Sequence, residues 1–199
     1  MTGHGLLALS LAYLVGAIPF GLLAVRIAGG GDIREGGSGN VGATNAFRTG
    51  GRGAGIATLV LDIAKGAAAV LLARGLMDPI PVGWEATAAL AAVTGHCFPV
   101  FLRFKGGKGI ATGCGAYGLV APVPVVGATV AFLALLLTTR MVSVGSIGAG
   151  VALLALIAWD RPDTALLASA GASVLLVIVR HRANIGRIVA GKESRIGSS

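Results

Sequence analysis

Three glycine-rich, basic stretches contain most of the side chains in this sequence that could bind an anion. They read G-G-S-G-N-V-G-A-T-N-A-F-R (36–48), F-K-G-G-K-G-I-A-T (104–112) and R-M-V-S-V-G-S-I (140–147). Glycines allow successive backbone N–H groups to converge on an anion, and a nearby lysine or arginine supplies positive charge. Few carboxylates accompany them, so the stretches suit the stabilisation of negative charge better than the uptake of protons. Together they indicate a binding site for phosphate-bearing molecules.

The first stretch contains Gly37, Gly39 and Gly42 at the spacing of the dinucleotide-binding fingerprint. That fingerprint requires a preceding strand and a β-α-β unit, whereas here it follows a long apolar segment. A Rossmann site is therefore excluded, although glycine N–H groups can hold phosphate in other folds. A flexible surface loop is the alternative. The polar candidates in this stretch are Ser38, Asn40, Thr44, Asn45 and Arg48.

The second stretch, K-G-G-K-G-I-A-T, combines glycines, lysines and a hydroxyl close to the start of a predicted helix. It is not a Walker A loop, because no Ser or Thr directly follows the second lysine. A helix N-terminus nevertheless favours an anion. In the alternative interpretation the lysines only fix membrane topology, which explains the cations but not the glycines. Its candidates are Gly106, Gly107, Lys108, Gly109 and Thr112.

There are two further pairs of polar residues. The two members of each pair are three positions apart, so they share one face of a helix. Ser143 and Ser146 form one pair, and serines in membrane helices often serve only close packing. His181 and Asn184 form the other, among several arginines. An ordinary histidine pKa of about 6.5 would permit a general base. The arginines are expected to lower it and favour the neutral ring; a purely interfacial histidine is the alternative.

The composition indicates that the elements which position these residues are membrane helices. The chain has 199 residues, of which 55% are hydrophobic and 12% charged, with a mean hydropathy of +0.86. Soluble domains carry about 25% charged residues, and here the apolar residues occur in blocks. We predict one integral membrane domain, residues 1–199, built as an all-α polytopic bundle. The predicted spans are 5–27, 54–75, 84–102, 112–122, 125–139, 144–158 and 164–180, and five spans is the alternative to these seven.

Several residues predict where these helices break or pair. Pro19 should kink the first span, and Pro122 with Pro124 should divide the apolar run that follows the second stretch. Asp62 and Lys65 lie three apart within the second span, where ionisable groups need partners, so they are expected to neutralise each other.

The distribution of positive charge predicts the orientation. The opposite side of the bundle has only Arg74 and Arg161, and Lys65 lies within a span. Positive loops stay in the cytoplasm, so the N-terminus is predicted outside and the C-terminus inside. The loops near 29–53, 103–112 and 139–147 and the tail 181–199 then face the cytoplasm. Thirteen of the 16 Lys and Arg lie on that side: Arg26, Arg34, Arg48, Arg52, Arg103, Lys105, Lys108, Arg140, Arg180, Arg182, Arg187, Lys192 and Arg195.

Several classes of function are disfavoured. The cations are spread over short loops with few aromatic residues between them, which is not typical of a nucleic-acid site. Cys97 and Cys114 have no ligands at metal-binding spacing, so neither a metal nor a cofactor is expected. Nucleophile elbows and H-E-x-x-H motifs are missing from the sequence.

Seven sequence blocks resemble one family. They are A-I-P-F-G (17–21), D-I-R-x-x-G-S-G-N-x-G-A-T-N (32–45), L-D-x-x-K-G (61–66), G-H-x-F-P-V-F (95–101), K-G-G-K-G-I-A-T (105–112), V-S-V-G-S-I (142–147) and R-H-R-x-N-I (180–185). In this order they resemble the bacterial membrane glycerol-3-phosphate acyltransferases that use acyl phosphate as donor. The resemblance covers nearly the whole chain. Val41 and Gly145 are slight departures from the family pattern.

The resemblance implies acyl transfer from acyl phosphate to the 1-hydroxyl of sn-glycerol 3-phosphate, giving lysophosphatidate and inorganic phosphate in phospholipid synthesis. It implies the bacterial cytoplasmic (inner) membrane, contact with membrane lipid, and an enzyme that produces acyl phosphate as a partner. Because acyl phosphate is an activated mixed anhydride, the hydroxyl needs positioning more than a covalent relay. A transporter of small organophosphates is the alternative function, but its site should lie near the membrane midplane. A scaffold without chemistry would leave the polar loops unexplained.

These arguments assign roles to the candidates. The polar residues of 38–45 and the 106–112 loop are expected to hold one phosphate, and Arg48, Lys108 and the two helical pairs to hold glycerol phosphate. Which loop binds which substrate stays open, as does whether His181 or the donor phosphate accepts the proton. The predicted catalytic residues are Ser38, Arg48, Lys108, His181 and Asn184. The predicted substrate-binding residues are Asn40, Thr44, Asn45, Gly106, Gly107, Gly109, Thr112, Ser143 and Ser146.

Overall fold

The computed structural model describes residues 2–80, 82–160 and 162–197, and all regular secondary structure within these ranges is helical. The predicted all-α bundle is therefore confirmed. Arg161, predicted at the end of the bundle opposite the glycine-rich stretches, lies outside the described residues. In chain order the elements are α1 (Thr2–Ala17), α2 (Phe20–Ile27), α3 (Ala43–Thr49), α4 (Gly51–Leu76), α5 (Val82–Cys97), a 3-10 turn (Val100–Leu102), α6 (Ile110–Val120), α7 (Pro122–Thr139), α8 (Val142–Asp160), α9 (Thr164–Arg180) and α10 (Arg182–Val189).

Each of the seven predicted apolar segments corresponds to a helix, with α1 and α2 sharing the first. α9 is long and apolar enough to span a membrane only if α10 is counted with it. The two helices are bent by 57° relative to each other. α6 is about 16 Å long, roughly half of the ~30 Å hydrocarbon core. Membrane helices are thus confirmed, whereas the number of spans stays a prediction. Within the described residues, five stretches reach spanning length by themselves: Gly3–Ile27, Gly51–Leu76, Gly83–Leu102, Pro122–Thr139 and Val142–Asp160.

The first span is interrupted at Ile18 and Pro19, as the proline predicts. Backbone carbonyls at such a break need donors when water is absent. The Lys65 ammonium donates to the carbonyl oxygen of Ile18 at 2.7 Å, and its nitrogen lies 2.7 Å from the Asp62 carboxylate. Nδ1 of His96 is 3.7 Å from the same carboxylate oxygen. The expected pairing of Asp62 with Lys65 is confirmed, and the pair stabilises the break in the neighbouring helix.

The second break falls at Ala121, between α6 and α7, where Pro122 begins the new helix. α6 packs closely against α4. A methyl group added at Gly66 would collide with the carbonyl oxygen of Thr112, and one added at Gly115 would collide with that of Ile63. Small residues allow this close approach of helices in a membrane, and it fixes α6 in the centre of the bundle.

Polar groups at the end of the bundle opposite the glycine-rich stretches are paired locally. Nε of Arg74 donates to Glu85 at 2.7 Å, and a second nitrogen of Arg74 donates to the carbonyl of Leu119 at 2.9 Å. The Asp163 carboxylate caps α9 by accepting from the backbone N–H of Leu166 at 2.8 Å. These contacts pair Arg74, Glu85 and Asp163 within the fold.

Candidate active site

The glycine–lysine loop, residues 104–109, joins the 3-10 turn to α6 and is held from two sides. The Gly107 N–H donates to the carbonyl of His96, the penultimate residue of α5, at 2.9 Å. The Arg180 guanidinium at the end of α9 donates to the carbonyls of Gly106 and Gly107, the latter at 2.9 Å. A methyl group added at Gly107 would collide with the His96 ring. These glycines therefore let the loop pack on α5, a role that the sequence reasoning missed.

Lys108 projects from this loop toward α10. Its ammonium donates to Oδ1 of Asn184 at 2.6 Å. Burial lowers the pKa of Lys108 to about 8, and Arg187, Arg48 and Arg180 add repulsion that Glu193 opposes. Lys108 is therefore largely protonated at neutral pH, with a charge that little water screens.

Glu193 connects the residues around Lys108 and was not predicted. One oxygen of its carboxylate accepts from Ser143 at 2.7 Å and from Nδ2 of Asn184 at 2.6 Å, and the other accepts from Arg187 at 2.7 Å. Burial opposes the ionisation of Glu193, yet these hydrogen bonds outweigh it and hold its pKa below the ordinary value. The only signal in the sequence was a single acid among the cations of the 181–197 tail.

His181 lies at the bend between α9 and α10 and is 2% exposed. Its Nδ1 is 2.8 Å from the carbonyl oxygen of Val177. Since a carbonyl can only accept, Nδ1 carries the hydrogen and Nε2 is the free acceptor. Burial, and next the charge of Lys108, lower the pKa of His181 to about 4. The neutral ring was predicted, but its main cause is burial rather than the surrounding arginines.

The first glycine-rich stretch forms a loop at the same end of the bundle, organised by Asn45. The Asn45 side chain is 1% exposed. Its Oδ1 accepts from the N–H of Ser38 at 2.8 Å, and its Nδ2 donates to the carbonyls of Ile33, Gly36 and Asn40 at 2.8–3.1 Å. All of these contacts lie within the loop, so Asn45 holds the loop backbone in place, and its predicted contact with substrate stays a prediction.

The other candidates of the first stretch are more accessible. Ser38, Thr44 and Arg48 are exposed, while Oδ1 of Asn40 accepts from the Gly42 N–H at 2.8 Å. Arg48 is close enough to Lys108 to lower its pKa. Arg48 of the first stretch therefore lies within electrostatic range of Lys108, which forms a cluster with Ser143, Asn184 and Glu193.

Two candidates lie apart from this cluster. Thr112 is fully buried on the α4 side of α6, and its hydroxyl has no hydrogen-bond partner among the described residues. Ser146 is buried one turn deeper in the bundle than Ser143.

An apolar cavity of about 170 Å³ begins beside Gly109 and Val177 and runs between α4, α6, α7, α8 and α9 as far as Tyr117. Leu59 lines it and is also exposed at the surface of the bundle, so the cavity opens toward lipid. Lys108 and the arginines near it lie at the helix ends, and the lipid-accessible cavity lies below them. The protein is therefore a membrane protein whose site suits a ligand with a phosphate group and a long apolar chain.

Comparison with known proteins agrees with this class. The model of the family described as glycerol-3-phosphate acyltransferase matches residues 6–191. The chain is 46% identical over 192 residues to the glycerol-3-phosphate acyltransferase of Geobacter sulfurreducens, covering 96% of each chain. It is 45% identical to that of Syntrophotalea carbinolica, covering 92% of this chain and 93% of the relative.

Two crystal structures of PlsY (YgiH), an integral membrane glycerol 3-phosphate acyltransferase, also match. The glycerol 3-phosphate form has a TM-score of 0.91 and 36% identity over 97% of this chain and 96% of that chain. The lysophosphatidic acid form has a TM-score of 0.87 and 34% identity over 97% and 95%. The chain belongs to the glycerol-3-phosphate acyltransferase family and is an integral membrane acyltransferase.

Proposed function

We propose that the protein transfers a fatty acyl group from acyl phosphate to the 1-hydroxyl of sn-glycerol 3-phosphate, giving lysophosphatidate and inorganic phosphate for phospholipid synthesis. Family membership supports the acceptor, as do the two forms in which the related PlsY was crystallised. The donor is supported by the several anion-binding groups of the site, which suit a second substrate whose leaving group is a phosphate.

One observation carries this proposal: the donor groups of Lys108, Ser143 and Asn184 meet directly above a lipid-accessible apolar cavity. An anion and an acyl chain can then be bound side by side. Lys108, Arg48 and the neighbouring polar groups hold the phosphate of glycerol 3-phosphate through charge-assisted hydrogen bonds. Glu193 fixes Ser143, Asn184 and Arg187 in place and offsets part of the positive charge.

The acyl phosphate lies with its chain in the cavity and its phosphate near the glycine–lysine loop. The N-terminus of α6 follows Gly109, which has a left-handed backbone with φ of +86°. The first N–H groups of α6 have no partners within the helix and favour an anion or a developing oxyanion. Ser38 and the exposed groups of the first loop approach the same phosphate from the other side.

The reaction needs no covalent enzyme intermediate. The 1-hydroxyl oxygen of glycerol 3-phosphate bonds to the acyl carbonyl carbon, and the bond from that carbon to the phosphate oxygen breaks. The hydroxyl proton moves to the departing phosphate, whose second pKa of about 6 makes it a better base than His181 with a pKa of about 4. Nε2 of His181 accepts a hydrogen bond from the substrate hydroxyl and orients it.

Substitution of His181 by Ala tests this division of roles. We expect turnover to remain within roughly tenfold of the wild type while KM for glycerol 3-phosphate rises, because a hydrogen bond is lost and no base is removed. Steady-state kinetics with both substrates measure this. A loss of kcat by about 10³-fold at unchanged KM would assign the proton transfer to His181 instead.

The site is proposed to face the cytoplasm of a bacterial inner membrane, where an enzyme that makes acyl phosphate can supply the donor. The excess of Lys and Arg at this end of the bundle supports that orientation. The position of the polar residues at the helix ends also favours an acyltransferase over a transporter, whose site would lie near the midplane.

Purified protein supplied with acyl phosphate and sn-glycerol 3-phosphate provides the direct test. We expect inorganic phosphate and lysophosphatidate to form in equal amounts, with none from an acyl thioester donor. The Lys108→Met variant is the control, and it should form both products much more slowly. Movement of glycerol 3-phosphate into sealed vesicles without lipid product would instead support transport.

A further inference from the structure

The apolar cavity has a rigid inner end formed by Tyr117 of α6. The Tyr117 side chain is 1% exposed, and its hydroxyl lies 2.9 Å from the hydroxyls of both Ser169 and Ser173 on α9. Ser169 in turn donates to the carbonyl of Ala86 on α5. The ring is thus held between three helices, and a residue fixed by so many contacts does not move aside easily.

Tyr117 lies two helical turns away from the proposed site of chemistry. Eight residues separate Gly109 from Tyr117 along α6, which corresponds to about 12 Å of helix. Eight residues also separate His181 from Ser173 along α9, giving the same depth of about 12 Å from the other wall. The two helices therefore place Tyr117 and Ser173, whose hydroxyls are hydrogen-bonded, at the same depth of about 12 Å below the mouth of the cavity.

The protein is closely packed beyond Tyr117. Val120, Ala121 and Ile157 are buried and belong with Tyr117 to the main core cluster, and none of the three lines the cavity. An apolar chain that enters beside Gly109 and follows α6 thus meets the tyrosine ring as the last lining residue of that helix. A longer chain has to leave the cavity sideways, toward lipid.

We propose that Tyr117, held by Ser169 and Ser173, is the residue that limits the length of the acyl chain bound inside the protein. This inference rests on the proposed function, in which the cavity takes the chain of acyl phosphate. Each methylene buried in the cavity improves kcat/KM by about fourfold. That gain stops at the chain length whose terminal methyl group reaches the tyrosine ring.

A series of acyl phosphates of increasing chain length tests the proposal. For the wild type, kcat/KM rises with each added methylene and then stops rising. In Tyr117→Ala the rise continues to longer chains, because the removed ring leaves room below. Val126→Ala is the matched control, since Val126 is exposed on the outer face of α7 and does not line the cavity; it should keep the wild-type profile.

A second variant shortens the cavity instead of lengthening it, and it decides the question if Tyr117→Ala does not fold. Gly113 lines the cavity one turn above Tyr117, and a Cβ there would make only ordinary contact with Val93 at 3.6 Å. Gly113→Leu should shift the maximum to shorter chains and lower kcat/KM for long ones by at least the fourfold value of one methylene.

The outcomes separate this inference from the proposed function. If the wild type releases phosphate from no acyl phosphate of any length, the proposed function is wrong. If the wild type is active but Tyr117→Ala and Gly113→Leu keep its chain-length profile, the function stands and Tyr117 does not limit the chain. Opposite shifts in the two variants support the proposal.

Discussion

The two glycine-rich loops lie at the same end of the bundle but are held in place differently. The 33–45 loop is organised from within by Asn45, whose side chain contacts four of its own backbone groups. The glycine–lysine loop is fixed from outside, by His96 of α5 and Arg180 of α9. One loop is therefore a self-contained unit, while the other is positioned only when three distant segments have packed together.

The glycines of the two loops therefore have different structural roles. Gly37 and Gly39 have φ of +58° and +67°, a backbone conformation that other residues adopt only with strain. Gly106 and Gly107 instead lack a side chain because His96 and Pro99 fill the space where a Cβ would lie. Gly37 and Gly39 thus serve a turn in the first loop, whereas Gly106 and Gly107 serve close packing in the second.

The largest effect is expected for Lys108→Met, which removes the partly buried charge of the second loop at nearly constant volume. A charge-assisted contact to phosphate is worth about 2–3 kcal/mol, so kcat/KM for glycerol 3-phosphate should fall roughly 100-fold. Lys105→Met is the matched control, because Lys105 is exposed in the same loop. It should change kcat/KM by less than about twofold. Equal losses in the two variants would contradict the assignment.

Arg180→Lys should release the second loop while leaving the first intact. Lysine keeps the charge but cannot donate to two carbonyls in the planar geometry of a guanidinium. We expect a roughly 30-fold loss in kcat/KM and faster hydrogen exchange of residues 104–109, with no change in 33–45. Arg182→Lys, at an exposed position one residue away from the bend, is the control. Unchanged exchange in 104–109 would show that Arg180 does not hold the loop.

Asn45→Asp is the reciprocal variant for the first loop. It keeps the acceptor for the Ser38 N–H but removes the three donations from Nδ2. We expect faster hydrogen exchange in 33–45 alone and a loss in kcat/KM of about tenfold. Glu35→Gln, in an exposed position of the same loop, should behave like the wild type. Faster exchange of 104–109 in Asn45→Asp would mean that the loops are not independent.

The smallest effect is a dependence on pH. In the proposed reaction the protonated form of Lys108 binds phosphate. Its pKa is lowered to about 8, so binding is expected to weaken as the pH rises through that value. Between pH 7 and pH 8.5, kcat/KM for glycerol 3-phosphate should fall about fourfold. Arg has a pKa above 12, so Lys108→Arg should abolish this fall. A fall that persists in the arginine variant would have to come from another group.

Much of the fold could be predicted from the sequence because its causes are local. Long apolar segments predict helices, and the breaks near Pro19 and Pro122 follow from the missing proline N–H. The pairing of Asp62 with Lys65 follows from their spacing in one helix and was confirmed. Asp32 and Arg34 are a similar local pair in the first loop, with nitrogen and oxygen 2.5 Å apart.

The details of the site could not be predicted, because they depend on contacts between distant residues. Ser143 and Glu193 are 50 residues apart, and Arg180 is 73 residues from Gly107. Motif reading assigned Asn45 and Thr112 to the substrates from their residue types. In the structure the Asn45 amide bonds to its own loop, and the Thr112 hydroxyl is buried without a hydrogen-bond partner among the described residues. Their predicted contact with substrate remains a prediction.

Labelling with a membrane-impermeant maleimide tests the central claim, that distant segments form one site for two phosphorylated substrates on the cytoplasmic face. Ser38→Cys and Lys105→Cys would be compared with Asp78→Cys, which is exposed at the opposite end of the bundle, in a background without Cys97 and Cys114. We predict that Ser38→Cys and Lys105→Cys react only from the cytoplasmic side, whereas Asp78→Cys reacts only from the other side. Glycerol 3-phosphate, added with a non-hydrolysable acyl phosphate analogue, should slow the labelling of Ser38→Cys. Reaction of Ser38→Cys and Lys105→Cys from opposite sides of the membrane would contradict the account.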